Sequence, residues 1–156
     1  MRSHVGLPAL LVVVAAVAAA CGSSKSKEEP RLTQKQFVAA ANRVCIRSDR
    51  RIFRLGSLSA APSGWAKTVA AADASLKDMR RIRPPESEQR GFDRLLRLAA
   101  QVRQQIDAVR EALIAQNYTR ARKAQKRATD LDTRVKLQSR TLGLTFCEQL
   151  LTNWPA

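Results

Sequence analysis

Phe92, Leu95, Ala99, Val102, Ile106, Val109 and Leu113 recur at alternating intervals of three and four residues. That spacing lays a single apolar stripe along a helix of 3.6 residues per turn, and the stripe has to be covered by other elements. The rest of the chain offers partners of the same kind. Phe37, Ala41, Cys45, Ser48, Ile52 and Leu55 share one face of a first helix over residues 33–55, which Thr33 and Gln36 open as a capping box. Trp65, Val69, Ala72, Leu76 and Met79 mark a second helix that runs to Arg83, where Pro84 and Pro85 end it. Ala121, Ala124, Ala128, Leu131, Val135 and Leu142 mark a fourth over residues 119–142, closed by Gly143. No segment alternates with the period of two that a half-buried strand requires.

The connections read as short. Residues 56–64 form a loop by composition, and Asn117 suits the C-terminus of the third helix. Thr145 and Glu148 carry the spacing of a second capping box, opening a short last helix. The expected fold is all-α: an antiparallel up-and-down four-helix bundle with a short C-terminal helix, occupying residues 33–156. Its facing positions are rich in Ala, each of which removes little apolar area from water. A core this thin gains from a crosslink.

The chain begins with a positive Arg2, an apolar stretch over residues 5–20 and a run of small residues, the pattern of a secretory signal peptide. Ala18-Ala19-Ala20-Cys21 resembles the lipobox of bacterial lipoproteins, in which the Cys is lipidated and becomes the new amino terminus. The position three before the Cys, commonly Leu in that motif, is Ala18. A spanning anchor would need roughly 20 strongly apolar residues, more than this stretch supplies. Simple cleavage after Ala20 also fits the small-residue rule. On the lipoprotein reading, residues 1–20 are the leader, and residues 21–32 are a lipidated Cys on a flexible tether without apolar side chains before Leu32. Localisation is then the cell membrane, on its extracytoplasmic face. Ten tether residues have a reach of about 18 Å, within a few Debye lengths of the lipid surface.

Cysteine parity bears on the same question. The chain has three Cys, and an odd number would leave a loose thiol in an exported protein. With lipid on Cys21, Cys45 and Cys147 remain as a pair, one on the apolar face of the first helix and one at the last. In an exported protein such a pair is expected to form a structural disulfide. A redox role would ask for close spacing and an exposed thiol of low pKa.

The segments Ala41-Asn42-Arg43-Val44-Cys45 and Leu142-Gly143-Leu144-Thr145-Phe146-Cys147, with Arg-Pro-Pro-Glu at 83–86 and the lipobox, resemble a group of small lipoproteins of high-GC Gram-positive bacteria. The resemblance spans most of the chain. It implies export, helical content and the disulfide, and carries no activity.

Charge supplies the functional expectation. The chain has 28 Lys and Arg against 13 Asp and Glu, a net charge of +15. GC-rich codons favour Arg and Ala without any functional demand, but they do not explain why acids are so few, and the positive field is a physical property of the surface. On a helical wheel Arg43, Arg47, Arg50, Arg51 and Arg54 lie about 140° to 240° from Cys45, opposite the core. Arg120, Arg122, Lys123, Lys126 and Arg127 crowd the start of the fourth helix, and Arg80, Arg81 and Arg83 the end of the second. Such clusters are ordinarily solvated helix faces. Near a membrane each cation close to anionic lipid contributes about 1 kcal/mol of attraction.

Several chemistries lack their residues. His4 is the only His and falls within the leader, so the remainder has no imidazole for general-base catalysis or metal ligation. Ser24-Lys25-Ser26-Lys27 matches Ser-x-x-Lys, but within the tether, where nothing supports a pocket. Asp130 and Asp132, like Glu86 and Glu88, stand two apart and face different sides of a helix. The expectation is no enzyme, no cofactor and no metal. It is a membrane-anchored binding or scaffolding module, contacting anionic lipid head groups or phosphate-bearing wall polymers. The alternative is a helical-bundle carrier of a small apolar ligand, with its site in the interior near Ala99 or Ala128. Nucleic acid, the ordinary partner of so basic a chain, is not expected of an exported protein with one Tyr and few aromatics for stacking. It becomes the partner if the leader is not one.

Overall fold

The computed structural model describes residues 30–55 and 62–149. The leader, Cys21 and most of the tether therefore lie outside the described residues, as do positions 56–61 of the loop and 150–156 at the end. The described chain is an antiparallel four-helix bundle: α1 (Gln34–Phe53), α2 (Pro62–Arg80), α3 (Glu86–Ile114) and α4 (Tyr118–Thr141), followed by a 3-10 helix (Thr145–Gln149). Among the described residues there are no strands.

Local signals start and stop these helices. Thr33 caps α1, its hydroxyl accepting from Gln36 N–H while Gln36 Oε1 accepts from Thr33 N–H at 2.9 Å. Residues 31 and 32, expected to close the tether, are instead pinned to the folded body. Leu32 N–H donates to the Arg83 carbonyl at 3.0 Å, and Arg31 reaches Gln89 Oε1 at 2.8 Å. Leu32 can pack against the core there, so the apolar side chain outweighs the polar run before it.

α2 begins three residues earlier than the composition of the loop suggests. Pro62 takes its first turn, where a missing N–H costs nothing, and Gly64 lies inside the helix. It also ends earlier, at Arg80, because Arg83 precedes Pro84 and is excluded from helical backbone. α3 starts directly after Pro85, with Glu86 and Glu88 at the positive end of its dipole.

Asn117 serves the helix after it rather than the one before. Its side chain accepts from Arg120 N–H at 2.9 Å, as the N-cap of α4. Gln116 ends α3 in the left-handed conformation, φ 54°, with Gln116 N–H on the Leu113 carbonyl and Asn117 N–H on that of Ala112. Gly143, φ 70°, ends α4 by the same pair of bonds, from Gly143 to Arg140 and from Leu144 to Ser139. Thr145, expected as a cap, is itself the first residue of the 3-10 helix, and Glu148 pairs with Arg140 at 2.7 Å.

The core runs along all four helices, with Phe37 and Phe92 fully buried edge to face at a centroid separation of 5.2 Å. On α3 the buried set shifts from the expected stripe: Leu98 and Ala112 are buried where Ala99 and Leu113 are half-buried. α3 packs against α2 on one side and α4 on the other, so its buried face is wider than one row. Gly91 allows the close approach of α4, since a Cβ there would stand 3.0 Å from Leu142.

Each helix packs on its sequence neighbour, but the fourth side of the bundle is closed differently. Among the described residues no Cα of α1 comes within 8 Å of a Cα of α4; both pack on the 3-10 helix. Cys147 is disulfide-bonded to Cys45 of α1, with Cα atoms 5.1 Å apart and a sequence separation of 102. Phe146 N–H donates to Asn42 Oδ1 of α1 at 3.2 Å. The last element is thus a wedge between the first and fourth helices.

Candidate functional site

Two features of the bundle have the geometry of a site: a cationic groove outside and an apolar cavity inside. The groove lies where α1 meets the end of α2, has a volume of about 270 Å³, and is lined by Arg43, Arg47 and Arg81 with Val44, Ile82 and Asp78. Sequence reasoning placed Arg43 and Arg47 in one cluster and Arg81 in another. The antiparallel packing of α1 on α2 brings them together. Arg43, Arg47 and Arg81 are exposed, and among the described residues none of them pairs with a carboxylate. Asp78, the one acid in the groove, is already taken by Arg51 at 3.0 Å.

That pair corrects the wheel reading of Arg51. At the edge of the outer face it turns toward α2, half-buried, and its Nη1 is buried without a hydrogen-bond partner. Arg51 ties two helices together and is not part of a free basic surface. Arg50 and Arg54 are exposed, Arg54 Nε donating to the Arg50 carbonyl at 3.2 Å.

The cluster on α4 stands apart from the groove, on a helix that α1 does not touch. Arg120, Arg122, Lys123 and Arg127 are exposed, whereas Lys126 pairs with Asp130 at 3.0 Å across one helical turn. Its position at the N-terminus of α4 sets these cations against the helix dipole. Of the third cluster only Arg81 lines the groove.

The interior cavity has a volume of about 110 Å³ and touches all four helices and Cys147. Small side chains are prominent in its lining: Ser48, Ala72, Ser75, Ala99 and Ser139. Ala128 is buried but does not line it. Most polar groups in its wall are already bonded. Thr68 donates to the Gly64 carbonyl at 3.1 Å; Ser75 Oγ lies 2.8 Å from the Ala71 carbonyl and 2.6 Å from Ser48 Oγ. Asp132, buried, holds Lys136 at 2.8 Å, and Asp130 on the next face holds Lys126, so the two carboxylates do not meet.

Arg103 closes another part of the wall. It grips Asp73 of α2 through two bonds of 2.9 and 3.0 Å and Asp107 of its own helix at 3.2 Å. The hydrogen bonds it donates to Asp73, with the charges of both acids, push the guanidinium above its ordinary range despite partial desolvation. It stays charged at any working pH.

Ser139 is the exception. It is fully buried, lines the cavity, and its Oγ has no hydrogen-bond partner. Thr68, Ser75, Thr129 and Thr133 each return their hydroxyl to the carbonyl four residues back, and Ser139 does not. Leaving such a buried group unpaired costs about 1–3 kcal/mol. Sequence reasoning passed over it, although a signal was present: the stripe of α4 steps by three and four to Val135 and then skips to Leu142, and Ser139 fills the gap.

Among the described residues no three His, Cys, Asp or Glu side chains gather where a metal could be held, and no helix is long and apolar enough to cross a membrane. Comparison with models of protein families, with curated proteins and with solved structures finds no match.

Proposed function

We propose that the chain is a non-enzymatic binding module, held at the extracytoplasmic face of the cell membrane by lipid on Cys21, that docks onto phosphate-bearing surfaces through the groove between α1 and α2. The observation that carries this reading is the convergence of Arg43, Arg47 and Arg81 on one groove whose only acid is neutralised by Arg51. Guanidinium groups match phosphate oxygens with paired donors, and three around one concavity favour a headgroup over diffuse attraction. The tether supports the same reading. Arg31 and Leu32 are fastened to the folded body, so a tether of some nine residues holds the bundle within about 18 Å of the lipid.

The test is binding of the mature domain, without its leader and without lipid, to vesicles. Anionic vesicles should bind and neutral ones should not, with binding lost as the Debye length falls from about 10 Å at 0.1 M salt to about 3 Å at 1 M. Arg43→Glu, Arg47→Glu and Arg81→Glu together should abolish it and leave helical content unchanged. Soluble polyphosphate competing in place of vesicles separates a wall polymer from a lipid as the source of the phosphate. Binding equal to both vesicle types, or unaffected by the three reversals, would overturn the reading.

A further inference from the structure

We infer that the interior cavity is a binding site for a small, wholly apolar molecule, and that the side chain of Arg103 is the door that admits it. The inference does not depend on the electrostatic docking proposed above. It concerns the opposite chemistry, in the interior.

Size sets the first limit. A dry cavity of about 150 Å³ takes a benzene ring, so about 110 Å³ suits a five-membered ring or a short branched alkyl group. The wall sets the second. Val44, Leu76, Leu95, Val102, Ile106 and Val135 give it apolar surface from all four helices. The polar groups among them are spent. Thr68 donates to the Gly64 carbonyl, Ser75 Oγ is bonded to the Ala71 carbonyl and Ser48 Oγ, and Asp132 holds Lys136. Ser139 has no exposed surface, so its hydroxyl is not offered to the space. A water molecule needs two to four polar partners and is poorly held here. An oxygen on a ligand would likewise be buried without a partner. A hydrocarbon gives up no hydrogen bond on entry.

The third limit is access. On the flank between α1 and α4 the buried Cys45–Cys147 bond and the 3-10 helix close the way. Arg103 offers another. It is the longest side chain in the lining, and it runs from the cavity to the surface, where it grips Asp73 of α2, whose side chain is 52% exposed. Ala99 stands one turn before Arg103 and Ala72 stands beside Asp73, both in the lining and both half-buried, so little besides Arg103 fills the wall there. Ion pairs this near to solvent are weakly held, and a side chain can change rotamer without moving a helix. An outward swing of Arg103 opens the wall, and its return to Asp73 closes it.

The experiment uses the mature domain, without leader or lipid and with its disulfide intact, labelled at Leu, Val and Ile methyls. It is titrated with cyclopentane and with tetrahydrofuran, a ring of the same shape carrying one oxygen. Cyclopentane should shift the methyl resonances of Leu76, Val102 and Ile106. Tetrahydrofuran should bind at least about tenfold more weakly, because its oxygen finds no donor. Ala99→Leu and Ala72→Leu should each exclude cyclopentane. One molar salt should not weaken its binding, which separates this site from the cationic groove. Exchange rates read the door. Asp73→Ala removes two of the three bonds that hold Arg103. It should raise the rates of entry and release together by about fivefold, the worth of one such pair, and leave the affinity unchanged. Asp130→Ala, which frees Lys126 away from the cavity, should alter neither rate. The inference falls if cyclopentane leaves those methyls unmoved, if tetrahydrofuran binds as tightly, if a folded leucine variant still binds cyclopentane, or if Asp73→Ala leaves the exchange rates as they were.

Discussion

Cys147 is bonded to Cys45 across the one side of the bundle where two neighbouring helices fail to meet. Cys147 belongs to the 3-10 helix that packs on both α1 and α4, and both cysteines are among the residues lining the cavity. Disulfide, wedge and cavity are one arrangement: the crosslink holds α1 to a bundle whose fourth helix does not.

Reduction should therefore loosen α1 first. A closed loop of 102 residues contributes up to about 4–5 kcal/mol by chain entropy. Urea unfolding with and without reductant should show a loss of that order, with hydrogen exchange in α1 rising before that in α3. Two free thiols in the mass of the non-reduced protein would remove the premise.

Arg51 and Asp78 should couple where the other α1 arginines do not. A double-mutant cycle on this half-buried pair should give about 0.5–1 kcal/mol, and Arg51→Glu should cost more than that by placing two acids together. Arg47→Glu and Arg50→Glu should stay within about 0.5 kcal/mol of the natural chain. Equal losses at all three positions would mean that Arg51 is only a surface charge.

The left-handed helix ends predict opposite responses. Gln116, at φ 54°, occupies a position that suits Gly, so Gln116→Gly should stabilise the fold by about 0.5–1 kcal/mol. Gly143→Ala, at φ 70°, should destabilise it by a similar amount. Thermal unfolding of the two variants reads both signs, and a loss in Gln116→Gly would show that its side chain matters more than its backbone.

Attachment at Cys21 is tested by metabolic labelling with a fatty-acid probe. The natural chain should be labelled and sediment with membranes, and Cys21→Ala should be neither. Two acyl chains suffice for stable anchoring where one does not. Equal label in both proteins would end the lipoprotein reading.

The sequence by itself determined the helices and the class of fold, because both rest on short-range information. The three-and-four spacing of Phe92 to Val109, the capping box at Thr33 and the left-handed Gly143 each involve residues within one or two turns. The Cys45–Cys147 bond was legible too, through parity and an expected oxidising compartment. Where the reading slipped, two local rules competed: Asn117 suits either side of a helix boundary, and the following helix claimed it.

What tertiary structure alone decided is which distant side chains share a space. The pairing of Arg51 with Asp78 depends on the rotation of α1 against α2, and so does the meeting of Arg43 and Arg47 with Arg81. The unpaired hydroxyl of Ser139 and the cavity before it depend on the spacing of four helices at once. Periodicity names the face a residue lies on. It carries no record of the gap between two faces, because that gap is set by the side chains of every helix that packs there and, in this bundle, by a 3-10 wedge that keeps α1 from α4.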